Sequence, residues 1–462
     1  MTFSVDISAN FEGGNIEFVE MVADREIMPV VRVNVRPDLY TELEKIHHMQ
    51  YFCFKATAKG DLTQDVKVRY VLANAGKVSY PEAWPDTTVC YTTTEDYQNV
   101  DEEWRRNLTT RYVGEELVWE HTHTVDKPTV YFSYFPPYTY KRHCEFIQEC
   151  QAVANAKVSV LGQSKDGNDL HYISVGSGPL QAWVIHRQHP GETMAEHYAE
   201  GLVRRLLCMK GSNNEKDDDT VVEKLLNDYT FHIIPCMCPD GAIRGHLRTN
   251  GVGANLNREW ATVHEHYPAP TMERSPEVYL VWQKMVETGV DFFLDVHGDE
   301  ELPYNFISGA EHVPTWGPRM QALHGALVAS YHRANKAFQA YIGYPPSPSP
   351  EETARHMGIA TNAVAAHFDC LAATLEMPFK DCQSDSEPEV GWNPARCRRL
   401  GESLLDVLTY LQPHLRSADS WATLPPEDAY IEPTDDYNDF KPLSKRYFSD
   451  VREIHGRVPK AI

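Results

Sequence analysis

Trp183-Val-Ile-His-Arg-Gln-His189-Pro-Gly-Glu192 is the stretch that decides the architecture. Trp183 to Ile185 is a short apolar run, and the residues from Thr193 to about Met209 have helical spacing, closed by Gly211. A buried strand feeding directly into a helix is half of a β/α unit. The same rhythm recurs downstream. Phe231 to Pro235 and Asp291-Phe-Phe-Leu-Asp-Val296 are apolar strands, and Met320 to Tyr331 is helical, with a polar loop from Ser212 to Asp219 between. Apolar strands alternating with helices predict an α/β domain with a parallel or mixed sheet flanked by helices.

In such sheets, ligand sites collect beyond the carboxyl ends of the strands. His189-Pro-Gly-Glu192 lies at one such end, and a His and a Glu three residues apart across that turn can face the same space. A second strand ends in the same manner at His297-Gly-Asp-Glu300. Two imidazoles and one carboxylate with a position left for water form the ligand set of a hydrolytic zinc site. A lone histidine at a strand end is more often a hydrogen-bonded core or surface residue. That plainer reading is preferred for His47, His48, His264 and His266. It also suits the alternating pair His121 and His123, although these two share a strand face on which a metal can bind. Cys236 and Cys238 read as small buried residues on one face of a strand rather than a metal knuckle.

The N-terminal part has a different texture. Val31, Val33 and Val35 alternate with Arg32, Asn34 and Arg36; Val66, Val68 and Tyr70 alternate with Lys67 and Arg69; Leu117, Trp119 and His121 alternate with Val118, Glu120 and Thr122. Half-buried strands separated by turn signals predict an all-β sandwich over residues 1–132. Pro136 and Pro137 break the pattern, the α/β domain is expected over 133–417, and 418–462 is expected to be an extended tail. The chain of 462 residues carries a formal charge of -23, which argues against nucleic acid or an anionic membrane as its main partner. No apolar run approaches the ~18 residues of a spanning helix, and no export signal opens the chain. Ten scattered cysteines fit reduced thiols and a cytoplasmic location.

Four motifs occur in order: His189-Pro-Gly-Glu192, Pro239-Asp-Gly241, Asn255-Leu-Asn-Arg258 and Thr374-Leu-Glu-Met377. Together they resemble the zinc carboxypeptidase (carboxypeptidase A-like) family in its cytosolic carboxypeptidase branch, whose members carry a β-sandwich before the catalytic domain. Phe11-Glu-Gly-Gly-Asn-Ile16 and Phe135-Pro-Pro-Tyr-Thr-Tyr140 are similar to that branch as well. The resemblance spans roughly residues 5 to 415. It implies one Zn²⁺ per chain held by His189, Glu192 and His297, with Glu376 as general base. It also implies Asn257 and Arg258 as the grip on a substrate's terminal carboxylate, and Arg248 as the group polarising the scissile carbonyl, with Arg244 the other claimant.

The implied substrate is the C-terminus of a peptide or protein, and the branch implies acidic, Glu-type terminal residues. Arg355 and Lys380 are candidates for the matching positive charge. Many family members have Asp where Asn255 stands, orienting the first zinc histidine; here the amide keeps the hydrogen bond but lacks the charge. The Tyr that often covers substrate in secreted relatives has no clear match, although Tyr341 and Tyr344 precede the loop Pro345 to Pro350. Two other readings are an amide hydrolase for N-acylated amino acids, aspartoacylase-like, and an inactive partner-binding relative. The sequence leaves the oligomeric state open.

Overall fold

In the computed structural model, residues 3–425 are described apart from 25–26, 44–46, 61–62, 99–102, 210–218, 261–268 and 346. The loop expected at 212–219 except Asp219, which caps the following helix, together with His264, His266 and nearly all of the expected tail, therefore lies outside the described residues; within the tail, Ser420–Thr423 forms a short 3-10 turn.

Two five-stranded sheets form the N-terminal part. One joins β1 (Ser4–Ser8), β4 (Cys53–Lys59), β10 (Thr129–Ser133), β6 (Cys90–Thr92) and β7 (Arg105–Arg106) in spatial order. The other joins β2 (Glu17–Asp24), β3 (Ile27–Asn34), β5 (Val66–Leu72), β9 (Glu116–His123) and β8 (Arg111–Val113). The alternation seen in the sequence is what holds them together. Val31, Val33, Val68, Tyr70, Leu117 and Trp119 all turn inward and are fully buried. Trp119 stacks on Tyr70 and Phe52, and Phe54 meets Phe132 at 5.3 Å between ring centres, so rings from both sheets fill one core.

The third sheet has seven strands in the order β11 (Lys157–Gln163), β12 (Asp169–Gly176), β14 (Tyr229–Ile234), β13 (Leu180–His186), β15 (Phe292–Asp299), β17 (Leu371–Pro378) and β16 (Phe306–Gly309). Its centre, β14 to β17, is parallel, while β12 and β16 run antiparallel to it and β11 pairs antiparallel with β12. The sheet is mixed, as expected. Helices α1 (Tyr140–Gln151), α2 (Met194–Leu206), α3 (Thr220–Asp228), α4 (Pro239–Arg244), α5 (Pro276–Thr288), α6 (Pro318–Ala334), α7 (Pro350–Arg355), α8 (Ala360–Phe368) and α9 (Pro394–Leu411) accompany it. Every residue of β15 and β17 is buried, which is why both read as near-continuous apolar runs. Helices α2 and α9 meet through glycines: a Cβ on Gly201 would lie 2.1 Å from Arg398 O, and one on Gly401 2.2 Å from Tyr198 O.

Two local expectations change. Cys236 and Cys238 are buried but lie in the turn after β14, which ends at Ile234, because Cys238 already caps α4. Strand β15 does not stop before His297 but carries it and runs to Asp299, since pairing with β17 continues to Asp299 opposite Pro378. All ten cysteines are free, and no helix among the described residues is long and apolar enough to cross a membrane.

Candidate metal centre and active site

The His189-Pro-Gly-Glu192 turn sits between β13 and α2, and its shape follows from its glycine. Gly191 N donates to Leu247 O at 2.9 Å, and a Cβ there would lie 2.9 Å from the same oxygen. The turn brings Glu192 within 2.6 Å of His189 Nδ1, while its other oxygen lies 2.8 Å from His297 Nδ1. The two Nδ1 atoms are 3.2 Å apart. Ligand atoms from the three side chains all fall within 4.8 Å of one another, and all three residues are buried.

The far nitrogen of each imidazole is already engaged. His189 Nε2 donates to Asn255 Oδ1 at 3.2 Å, and His297 Nε2 donates to Asp295 Oδ2 at 2.8 Å. Gln188 donates to the same Asp295 oxygen at 2.6 Å. Both rings are thus pinned with Nδ1 facing the centre. Nitrogen and oxygen donors near 3 Å apart suit a zinc ion, whose ligands lie about 2.0–2.2 Å away. The donor set fits.

The titration behaviour of the trio follows from burial and mutual charge. Burial and the nearby Arg248 push His189 down to about 3, against the pull of Glu192. Burial opposes charge on His297 as well, yet Asp295 and Glu192 outweigh it and hold that imidazole well above its ordinary value. Glu192 is likewise opposed by burial, and the two imidazoles keep its carboxyl below the usual range.

Glu376 stands beside His297 in register on β17. It is buried, and its Oε2 has no hydrogen-bond partner among the described residues. Burial, together with Glu192, Asp299 and Glu300, raises its carboxyl well above the ordinary range, against the pull of His297. A carboxyl held this way, with an unpartnered oxygen in a residue that lines a cleft, is suited to taking and returning a proton.

One 3-10 turn, Leu256–Arg258, distributes three further side chains. Asn255 reaches His189. Asn257 Oδ1 accepts from Ala360 N at 2.8 Å, and its Nδ2 lies 3.4 Å from His297 Nε2. Arg258 lines the cleft, with Nη1 donating to Asn257 O at 2.8 Å. Arg248 lines it too, and its Nη1 donates to Tyr80 Oη at 3.2 Å. Arg244 is turned elsewhere, bonded to Gly251 O and Asp166.

All seven expected site residues therefore border one cleft of about 390 Å³. Arg355 and Lys380 do not line it. The Arg355 side chain is 70% exposed and pairs with Glu352, and Lys380 is buried with Nζ donating to Pro85 O at 2.9 Å, an attachment to the sandwich. Tyr344 lines the cleft and its hydroxyl donates to Asp299, whereas Tyr341 is buried outside it.

The sequence reading missed Asp295, Glu300 and Tyr80, and also Asp38, which accepts from the Leu247, Arg248 and Thr249 amides beside the cleft. Asp295 was accessible: two residues before His297 on one strand, it must share that residue's face. Tyr80 and Asp38 belong to distant loops, and no local pattern announces them.

Comparison with known proteins matches both parts of the chain. The family model described as cytosolic carboxypeptidase N-terminal domain matches residues 7–135, and that described as zinc carboxypeptidase matches residues 144–458. An uncharacterised protein of Zymomonas mobilis is 35% identical over 407 residues, covering 88% of this chain and 96% of its own. Cytosolic carboxypeptidase 3 of Mus musculus is 24% identical over 66% of this chain, which spans only 30% of that longer protein. Among solved structures, a metallo-carboxypeptidase from Pseudomonas aeruginosa in complex with (2-guanidinoethylmercapto)succinic acid is 35% identical, covering 89% of this chain and 100% of its own with a TM-score of 0.77. A metallo-carboxypeptidase from Burkholderia cenocepacia is 33% identical, covering 88% of this chain and 98% of its own, with the same TM-score of 0.77. The chain belongs to the zinc carboxypeptidase family, metallocarboxypeptidases that work with a zinc ion, and carries the N-terminal domain described for the cytosolic carboxypeptidases.

Proposed function

We propose that the protein removes C-terminal residues from peptides or proteins, with His189, Glu192 and His297 holding zinc and Glu376 acting as general base. The observation that supports this most directly is the placement of Glu376 beside His297, with a free carboxyl oxygen, in a cleft that also holds Asn257 and Arg258. Bound zinc supplies Lewis acidity, lowering the pKa of water and polarising a carbonyl. Glu376 takes the proton of the attacking water and returns it to the leaving amine. Arg248 carries fixed positive charge to the oxygen on which negative charge develops. The Arg258 fork and the Asn257 amide bind the free terminal carboxylate, which restricts cleavage to the last peptide bond.

Two readings of the removed residue compete. Likeness to cytosolic carboxypeptidases supports a Glu-type residue. The cleft supports the opposite sign: Glu82, Glu301, Glu311 and Glu352 line it, and neither Arg355 nor Lys380 does. The Pseudomonas aeruginosa relative takes a ligand with a guanidino group and carboxylates. We take the cationic or neutral residue as the better-supported reading. A cytoplasmic location accords with the free thiols and the cytosolic relatives.

The experiment is zinc analysis of the purified chain together with a panel of peptides ending in Glu, Lys, Arg or Ala, and N-acylated amino acids, each with and without a chelator. Chelator-sensitive release of Lys, Arg or Ala is expected. Release of Glu alone overturns the residue preference; hydrolysis of only the N-acylated amino acids supports the amide hydrolase instead. Full zinc occupancy with no hydrolysis supports an inactive binding relative.

A further inference from the structure

The segment carrying Arg248, from Gly245 to Thr249, has no regular structure of its own. A carboxylate from the sandwich part of the chain shapes it. Asp38 is 4% exposed and accepts four hydrogen bonds from this segment: Leu247 N at 2.6 Å, Arg248 N at 2.8 Å, Thr249 N at 2.9 Å and Thr249 Oγ1 at 3.0 Å. Three consecutive amides converge on one anion, a concave arrangement that fixes the backbone of all three residues.

Other groups from the same part of the chain hold the approach to the segment. Asn15 Nδ2 donates to Gly245 O at 2.9 Å, and Gly13 N donates to Ile243 O at 2.8 Å. Gly245 has φ +70, and a Cβ there would meet Gly13 O at 2.8 Å. Beyond the backbone, Tyr80 Oη accepts from the Arg248 guanidinium. Tyr80 itself lines the cleft.

We propose that the N-terminal sandwich is part of the active site, with Asp38 as a positioning residue that sets the Arg248 backbone and Tyr80 as a second positioning residue that aims its guanidinium. This rests on the role given to Arg248 above. With an amide in place of the Asp38 carboxylate, a single oxygen is left to accept and an NH2 group faces the converging donors, so at least one buried amide loses its acceptor and the segment rearranges to satisfy it. A displaced guanidinium no longer meets the oxygen on which charge develops. A displacement on the order of 1 Å lowers the rate about a hundredfold, while ground-state binding through Asn257 and Arg258 is spared.

The test is a double-mutant cycle on the full-length, zinc-loaded protein: wild type, D38N, Y80F, R248A, D38N/R248A and Y80F/R248A. With the best peptide of the panel, D38N is expected to lower kcat on the order of tenfold to a hundredfold with KM nearly unchanged, and Y80F to lower it about threefold to tenfold. In the R248A background neither substitution has a further effect beyond about twofold, because the group they position is gone. A second readout is independent of activity. Hydrogen exchange of the Leu247 to Thr249 amides should accelerate at least about tenfold in D38N, at unchanged zinc content.

Losses of the same factor with and without Arg248 would overturn the proposal, as would unchanged amide exchange. If D38N fails to fold, the Y80F and R248A arm decides alone, additivity counting against. A wild type that cleaves no peptide refutes the proposed activity instead, and the exchange measurement still judges the Asp38 clamp.

Discussion

Two of the close histidine pairs among the described residues have opposite fates. His189 and His297 have ring centres 4.7 Å apart, and His121 and His123 have theirs 5.1 Å apart. Distance does not distinguish them; surroundings do. Around the first pair, Asp295 and the Asn255 side-chain oxygen engage the outer nitrogens and leave both Nδ1 atoms facing the Glu192 carboxylate. The second pair is set among rings. His121 meets Phe132 and Tyr91 edge-on at 5.6 and 5.5 Å, and both nitrogens of His123 are taken, by Tyr70 Oη at 2.6 Å and Pro128 O at 2.8 Å. Among the described residues the only three-ligand group is His189, Glu192 and His297. Proximity of imidazoles makes a metal site only where an anion shares the space and partners behind the rings fix their tautomers.

The sharpest way to break this contrast is at the base. Glu376→Gln keeps the shape of the site and all three metal ligands but removes the proton acceptor. Zinc content should be unchanged and kcat should fall on the order of 10³–10⁴-fold. Near-normal turnover in that variant would remove the proton-transfer role altogether.

The next largest effect lies behind His297. Asp295→Asn replaces a charged acceptor with a neutral amide, and zinc affinity should weaken about 10–100-fold in a chelator competition titration. Tyr70→Phe, the corresponding change behind His123, should leave zinc affinity where it was. The reverse change tests His189, whose partner is the uncharged Asn255. Asn255→Asp should tighten zinc binding about threefold to tenfold by making that imidazole more basic. If Asn255→Asp has no effect while Asp295→Asn does, only one of the two rings depends on a charge behind it.

What the sequence could reveal follows the same division. The histidine–glutamate turn was legible because its residues are three apart and lie where an apolar strand becomes a helix. The sandwich was legible because period-2 alternation at Val31 to Val35 and Leu117 to Trp119 states which side faces the core. Asp295 was legible in principle and passed over, hidden inside an apolar strand where it reads as an interruption. Lys380 shows the opposite case, a candidate that was not preferred. A cation near Glu376 in sequence suggested a substrate contact, but it points toward Pro85, because β17 ends at Pro378 and the chain turns toward the sandwich. Asp38 and Tyr80 were not legible at all. They lie 210 and 168 residues from Arg248, and only the packing of the sandwich against the Arg248 segment brings them there.

The last expected effect, on stability alone, tests the second histidine pair as a packing element. Burial first, and then the neighbouring His123, push His121 down to about 4. In the unfolded chain it titrates near 6.5, so as pH falls below that value the unfolded state takes up the proton first. Stability tied to neutral His121 is therefore fully present above about 6.5 and lost progressively down to about 4, below which both states carry the proton. His121→Leu keeps an apolar side chain against Phe132 and Tyr91 and abolishes that titration. Denaturant unfolding of both proteins at pH 7 and pH 4.5 should show the variant losing roughly 1–2 kcal/mol less on acidification, a figure reduced for the partial exposure of the ring. Other acid-titrating groups are common to both proteins and cancel in the comparison. Equal acid sensitivity would mean that His121 is not held neutral by its surroundings, and the aromatic cage would no longer explain why this pair differs from His189 and His297.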